Sequence, residues 1–239
     1  MPPISSSREA PECLILTSLS ARDRELLAPL LYRVDLPLRK QLERKNKRID
    51  FVYFIAQGLA SVVAADGGHG GIEIGVIGRE GVTGLAVILA TDRSPHETYM
   101  QLAGCGHRIK ASDLRNAMGQ SKSLQHALLR YAFAFTVQTA QTALANGRFN
   151  IEERLARWLL MAHDRIEGDD LELTHEFLAT MLGVRRSGVT VTLRLLEKNG
   201  LIKSKRGGVR ILHRQGLEEC ANGSYGTSET ELRRLGSGL

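Results

Sequence analysis

Arg185 and Arg186 stand at the head of a run in which Ser187, Thr190, Val191 and Arg194 follow at helical spacing. Residues three and four apart share one helix face, so Arg186, Thr190 and Arg194 would project together. An arginine so placed can donate two parallel bonds to guanine O6 and N7, a contact that discriminates bases by about 1–3 kcal/mol. Hydroxyls and the amides of a helix N-terminus suit flanking phosphates. Between Arg185 and Arg214 nine basic residues face a single acid, Glu197, while the whole chain carries a formal charge of +6. A basic segment on a slightly acidic body predicts a polyanion partner met by one end of the molecule.

The elements that must position these arginines are legible around them. Thr174 can cap a helix whose first turn holds His175 and the acid Glu176, and Phe177, Leu178, Met181 and Leu182 supply its apolar face. Gly183-Val184 forms a tight turn. The second helix runs from Arg185 to Lys198 with Val189, Leu193 and Leu196 facing inward, and Asn199-Gly200 ends it. Two β-prone runs, 201–204 and 209–212, then flank Lys205-Arg206-Gly207-Gly208, a hairpin whose basic tip suits the sugar-phosphate backbone. Helix, short turn, arginine-headed helix and basic wing form a winged helix-turn-helix. Its DNA-contacting set is Thr174, His175, Arg185, Arg186, Ser187, Thr190, Val191, Arg194, Lys205 and Arg206.

Upstream, residues 1–18 are expected to be a flexible tail rich in proline and serine. An amphipathic helix is expected over 19–32, with Ser20 as its cap. Residues 51–109 alternate short β-prone runs with Gly58, Gly67, Gly70, Gly78, Gly81 and Gly104, predicting an antiparallel roll or barrel. A helix without proline follows from Ser121 to Asn146. Along it Leu124, Leu128, Tyr131, Phe135, Gln138 and Thr142 repeat at four and three, the spacing of a seam between two helices, and they are the expected dimer interface. The same stripe would also suit a helix that caps the roll. Gly147 is the expected joint, and another helix resumes at Ile151. The fold class is α+β, divided as tail 1–18, β-roll 19–118, dimer helix and hinge 119–149, and DNA-binding unit 150–239.

Several function classes are not expected. No apolar run reaches eighteen residues and the N-terminus lacks a secretory pattern, so the cytoplasm is the expected location and no membrane partner is expected. Cys13, Cys105 and Cys220 are too few and too dispersed for a thiolate cluster. His69, His96 and His107 are read as surface or satisfied histidines, and no cofactor is expected. Neither a nucleophile elbow, a phosphate loop nor a metal-spaced histidine pair occurs, and an enzyme is not expected.

From Leu19 to Leu217 the sequence resembles the cyclic AMP receptor protein and fumarate-nitrate reduction regulator (Crp/Fnr) family of bacterial transcription regulators. The motifs that carry the likeness are 173–179, Gly183-Val184-Arg185-Arg186, 196–202 and Val52 through Gly58. The resemblance implies a cyclic-nucleotide-binding-like β-roll, a long dimerisation helix and a C-terminal winged helix-turn-helix. Its partners would be double-stranded operator DNA and a second copy of the chain, with RNA polymerase a candidate third. Matching recognition helices puts Arg186, Ser187 and Val191 where the nucleotide-responsive members carry arginine, glutamate and arginine, so their operator is not implied.

In those members a glutamate holds the ribose and an arginine followed by a small hydroxyl residue holds the cyclic phosphate. The matching stretches here are Thr83-Gly84-Leu85 and His96-Glu97-Thr98, the candidate effector pocket, in which His96 and Glu97 take the arginine and serine places. A cyclic phosphate beside Glu97 would be poorly compensated, and cyclic AMP is not the expected effector. The alternative reading is a ligand or cyclic-nucleotide binding module whose basic tail contacts a protein instead of DNA.

Overall fold

A computed structural model describes residues 12–65 and 71–236. The tail through residue 11 and the glycine-rich stretch 66–70, with His69, lie outside the described residues. Two short helices, α1 (Leu14–Thr17) and α2 (Ala21–Leu27), precede the strands β1 (Tyr32–Leu36), β2 (Gln41–Glu43), β3 (Phe51–Ala65) and β4 (Gly71–Ile77). The one-turn α3 (Leu85–Ile88) leads to β5 (Glu97–Lys110). These strands form an antiparallel sheet in the order β1-β5-β3-β4, with β2 also on β5.

Gly58 and Gly104 do not end strands, as expected from sequence, but lie inside the long β3 and β5. Gly58 has φ +93°, at a register shift of the β3–β5 ladder. A Cβ on Gly104 would sit 1.9 Å from the Gln57 carbonyl oxygen. Both glycines serve a bulge and a close backbone approach, which bend a ladder without terminating it.

The expected tail is corrected over residues 12–18. Cys13 and Ile15 are buried, the Leu14 amide donates to the Arg79 carbonyl at 2.7 Å, and α1 closes an apolar cluster with Val82 and Tyr131. The run Cys13-Leu14-Ile15-Leu16 is apolar enough to be held by that surface, which outweighs the flanking serines and prolines.

After α4 (Ala111–Gln120) comes α5 (Lys122–Arg148), 27 residues long, begun by the Ser121 side chain accepting the Leu124 amide. Leu124, Leu128, Tyr131, Phe135 and Gln138 are all buried within the chain itself. A Cβ on Gly75 of β4 would lie 2.6 Å from Phe135, so glycine there allows α5 to approach the sheet. Gln138 Oε1 accepts the Val76 amide at 2.6 Å and its Nε2 donates to the Val76 carbonyl at 3.3 Å. The amide thus stands in for a neighbouring strand at the sheet edge. Thr142 is half-buried and receives Arg157 Nη2 at 3.2 Å.

The six residues expected at a dimer seam therefore pack inside their own protomer. The physical reason is that α5 carries two apolar stripes, and periodicity alone does not say which one meets the roll. The second stripe, on the opposite side, exposes Leu129, Phe133, Ala140 and Leu144.

The helix also passes through Gly147, and the expected joint moves to Phe149-Asn150. Phe149 is extended, and Asn150 caps α6 (Ile151–His163) by accepting the amides of Glu152 and Glu153, while Glu153 accepts the amide of Asn150. A reciprocal cap demands a non-helical residue before the helix, whereas one glycine in a helix only weakens it.

Then follow β6 (Asp170–Leu171), α7 (His175–Leu182), α8 (Arg186–Lys198), β7 (Ile202–Lys205), β8 (Gly208–Ile211), α9 (Arg214–Cys220) and α10 (Thr227–Gly236), the last packed along α5. One buried cluster runs across the expected 149/150 division, joining Leu59, Val76 and Leu102 of the sheet to Trp158, Leu178, Leu182 and Val189. Among the described residues no helix is long and apolar enough to cross a membrane.

Candidate nucleic-acid interface

The Thr174 side chain accepts the Phe177 amide at 3.2 Å to start α7, and Gly183, at φ +62°, stops it. A residue with positive φ is costly for any side chain, so the sharp turn into α8 falls on glycine. Leu178, Met181 and Leu182 of α7 and Val189, Leu193 and Leu196 of α8 are buried in one cluster with α6, where Trp158 meets Phe177 edge to face at 5.7 Å. With that side fixed, Arg186, Ser187, Val191 and Arg194 project into solvent on the other, and Val191 is 64% exposed. An apolar side chain left bare on a basic helix suits contact with a thymine methyl. Arg185 is exposed at the N-cap, and no side chain caps the first turn of α8.

Two residues of the expected set also work inside the unit. His175 Nδ1 lies 2.9 Å from Thr190 Oγ1, bracing α7 against α8. Both remain half-exposed at the rim of the α8 surface.

The wing is a hairpin in which Lys205 pairs with Gly208, and Arg206-Gly207 forms its tip with Gly207 at φ +74°. Lys205 and Arg206 are exposed. Asp170 on β6 receives Lys205 Nζ at 2.6 Å and Arg210 Nη2 at 2.5 Å, which hold its carboxyl far below the usual carboxylate range. Glu197, the lone acid of the basic segment, accepts the Ser204 amide at 3.1 Å and ties the wing to the end of α8. Asp170 is a partner of the wing that sequence spacing does not disclose, since β6 is only two residues long.

The roll encloses a cavity of about 230 Å³ whose walls include Glu43, Leu85, Arg93, His96, Thr98 and Phe135. Burial pushes the Glu43 carboxyl up, although it accepts the Gly84 amide at 2.7 Å and bonds to Thr98 and Thr83. Of the six candidate pocket residues, Thr83, Gly84 and Thr98 thus grip an internal acid, while Leu85, His96 and Thr98 face the cavity. Glu97 pairs with Val63 in the ladder. Arg93 and the hydroxyl residues Thr91, Ser94 and Thr98 line the cavity with His96, whereas Glu97 does not. The loop before β5 sets that register, and loop length is not fixed by pattern.

Burial lowers the pKa of His96 and of His107, with Lys45 and Arg33 respectively adding to it. Burial also pushes the Cys13 thiol up to about 12 and the Cys220 thiol up to about 11. Among the described residues no group of three or more His, Cys, Asp or Glu side chains is arranged to hold a metal.

Comparison with known proteins gives a consistent picture. Residues 153–220 match the Crp-like helix-turn-helix domain. A chain from Eubacterium rectale, assigned to the Crp/Fnr family of transcriptional regulators, superposes with TM-score 0.68 at 18% identity, over 87% of this chain and 97% of that one. FixK2 from Bradyrhizobium japonicum gives 0.68 at 17%, over 80% and 96%. A transcriptional regulator of the CRP family from Thermus thermophilus gives 0.65 at 18%, also over 80% and 96%. No curated protein matches the sequence at a significant level.

Proposed function

We propose that this chain, a DNA-binding transcription regulator with the Crp/Fnr fold and a Crp-like helix-turn-helix domain, reads its operator as a homodimer with α8 in the major groove. The carrying observation is that Arg186, Ser187, Val191 and Arg194 share the solvent side of α8, directly behind its buried Val189-Leu193-Leu196 side. Arg185 and Arg186 head the helix where base edges and flanking phosphates are met, and Lys205 and Arg206 follow the backbone.

Dimerisation uses the outer stripe of α5. Leu129, Phe133 and Leu144 are large and exposed, and Ala140 lets two helices approach closely. A two-fold pair of α8 helices then meets half-sites about one turn, ~34 Å, apart. Such work belongs to the cytoplasm.

What speaks against cyclic AMP as the effector is the size of the roll's cavity, whose volume of about 230 Å³ lies below the ~300–1,000 Å³ usual for small-molecule sites, and the buried acid Glu43 in a wall that also carries Arg93.

Selection of DNA fragments by the purified full chain tests the reading. The expected product is an inverted repeat bound with two chains per duplex. Unselective recovery of DNA, or a monomer on the selected site, would reject it.

A further inference from the structure

Glu73 of β4 is 5% exposed, and its carboxyl lies in the seam where the roll meets α6, the helix that leads into the winged unit. Ser61 of β3 donates to one oxygen at 2.5 Å, and the Trp158 indole of α6 donates to the other at 2.6 Å. A single carboxyl is therefore gripped from both sides. Leu59, Val63 and Val76 of the sheet and Leu155, Leu159 and Leu178 of the helices belong to the buried apolar cluster of the same seam.

The charged and titratable groups that act on this carboxyl are Arg157 and Arg165, with Tyr99 of β5 facing it in turn. Both guanidiniums are committed to other acceptors. Arg157 donates to the Ser224 carbonyl and to Thr142 Oγ1, and Arg165 donates to Glu80 and to the Met161 carbonyl. α5 meets β4 through Phe135 and Gln138, and the end of α7 meets it through Gly183, all uncharged. An ionised Glu73 would thus keep two neutral donors and no bonded cation, so its charge is costly until water reaches it. Ser61 and Glu73 belong to the roll and Trp158 to the helix, so water enters by parting α6 slightly from β4. α6 packs on α7, α8 and α9, and a shift of α6 carries the reading helix with it.

We infer that Glu73 is a proton-operated latch between the roll and the DNA-reading unit. Protonated, it seals α6 against β4; ionised, it draws water into the seam and loosens the setting of α8, so that acidification strengthens operator binding. Burial holds the proton up to about 7 in the sealed setting, against 4.5 for the hydrated group. Between those values only the hydrated setting has lost its proton, and each rising pH unit favours it by up to about tenfold. An operator that demands two reading helices at one separation selects the sealed setting. That last step rests on the dimeric reading above; the latch itself does not.

Acrylamide quenching of Trp158, the chain's one tryptophan, reads the latch on the free full chain. Quenching should rise as pH is raised from about 4.5 to about 7 and then level off. Glu73→Gln keeps an acceptor for the indole without a titrating proton and should stay weakly quenched throughout. Should that variant fail to fold, Ser61→Ala carries the test: with one donor to the carboxylate gone, the rise should extend to higher pH. Anisotropy titrations on the selected operator should show tighter binding toward acid in the wild type, by up to about tenfold per pH unit for each protomer, beyond what Glu73→Gln shows. Any contribution of His175 at the reading surface is common to both proteins. Quenching that ignores pH, that rises equally in a folded Glu73→Gln, or that levels off unchanged in Ser61→Ala would overturn the latch, and equal pH dependence of affinity in wild type and Glu73→Gln would overturn its link to DNA. If no operator complex forms at any pH, the dimeric reading fails and quenching alone decides the latch.

Discussion

The Trp158 indole donates to the buried carboxyl of Glu73 at 2.6 Å, tying the helix that leads into the DNA-reading unit to an edge strand of the roll. Ser61 Oγ donates to the other oxygen at 2.5 Å. Burial still prevails over these bonds and over Arg157 and Arg165 nearby, and pushes the carboxyl from its ordinary 4.5 up to about 7. The unfolded chain releases this proton near 4.5 and the folded chain near 7, so the folded state holds more protons between them. Stability from this group is full below about 4.5 and falls as pH rises through about 7, by up to about 1.4 kcal/mol per pH unit. Glu73→Gln keeps an acceptor for Trp158 without a titrating proton and should flatten that slope. Tm followed by fluorescence of Trp158, the chain's one tryptophan, reads it, and identical slopes would refute the coupling.

Arg186→Ala removes an exposed side chain and should leave Tm within about 0.5 kcal/mol of equivalent stability. Affinity for the selected operator should fall by about 1–3 kcal/mol, and preference at one base position should relax. Anisotropy titrations on operator and single-base variants measure both. Uniform weakening on all sequences would make Arg186 a phosphate contact instead.

Asp170 holds Lys205 and Arg210 of the wing away from a polyanion. Asp170→Asn should release them, tighten DNA binding, and steepen the logarithmic salt dependence by about 0.9 for each phosphate newly met. Binding measured over a series of salt concentrations decides the matter, and an unchanged slope with tighter binding would contradict the release of charge.

The two faces of α5 make opposite predictions. Phe133→Glu places a charge on the outer stripe and should yield a folded monomer in sedimentation, with operator affinity lost. Gln138→Leu strands the Val76 amide and carbonyl against the roll and should cost about 1–3 kcal/mol while leaving the dimer intact. A monomeric Gln138→Leu beside a dimeric Phe133→Glu would return the interface to the inner face.

The reading unit was legible in the sequence because each of its boundaries is set locally. Thr174 and Gly183 bound α7 by side-chain and backbone chemistry that needs no distant partner, and Arg186 follows from them. What escaped depends on tertiary choice. The Leu124-to-Gln138 stripe satisfies a dimer seam and a roll-facing helix equally, and only the bond from Gln138 to Val76 selects the latter. Gly58 and Gly104 carry the composition of turns, yet they face another backbone across the ladder. Arg93 joins the cavity wall through the loop before β5, whose course no local pattern fixes, and α9 is only seven residues long. The anchoring of Cys13 and Ile15 needs the groove beside Val82, which no local pattern reveals.

The apolar cluster running from Val76 and Leu102 into Trp158, Leu178 and Val189 has a thermodynamic corollary. Neither half can melt alone without wetting the side chains it shares with the other, so heating should produce a single cooperative calorimetric peak. Severed before Asn150, the C-terminal piece would carry a greasy flank into water and self-associate, which makes the roll its permanent chaperone as well as its neighbour.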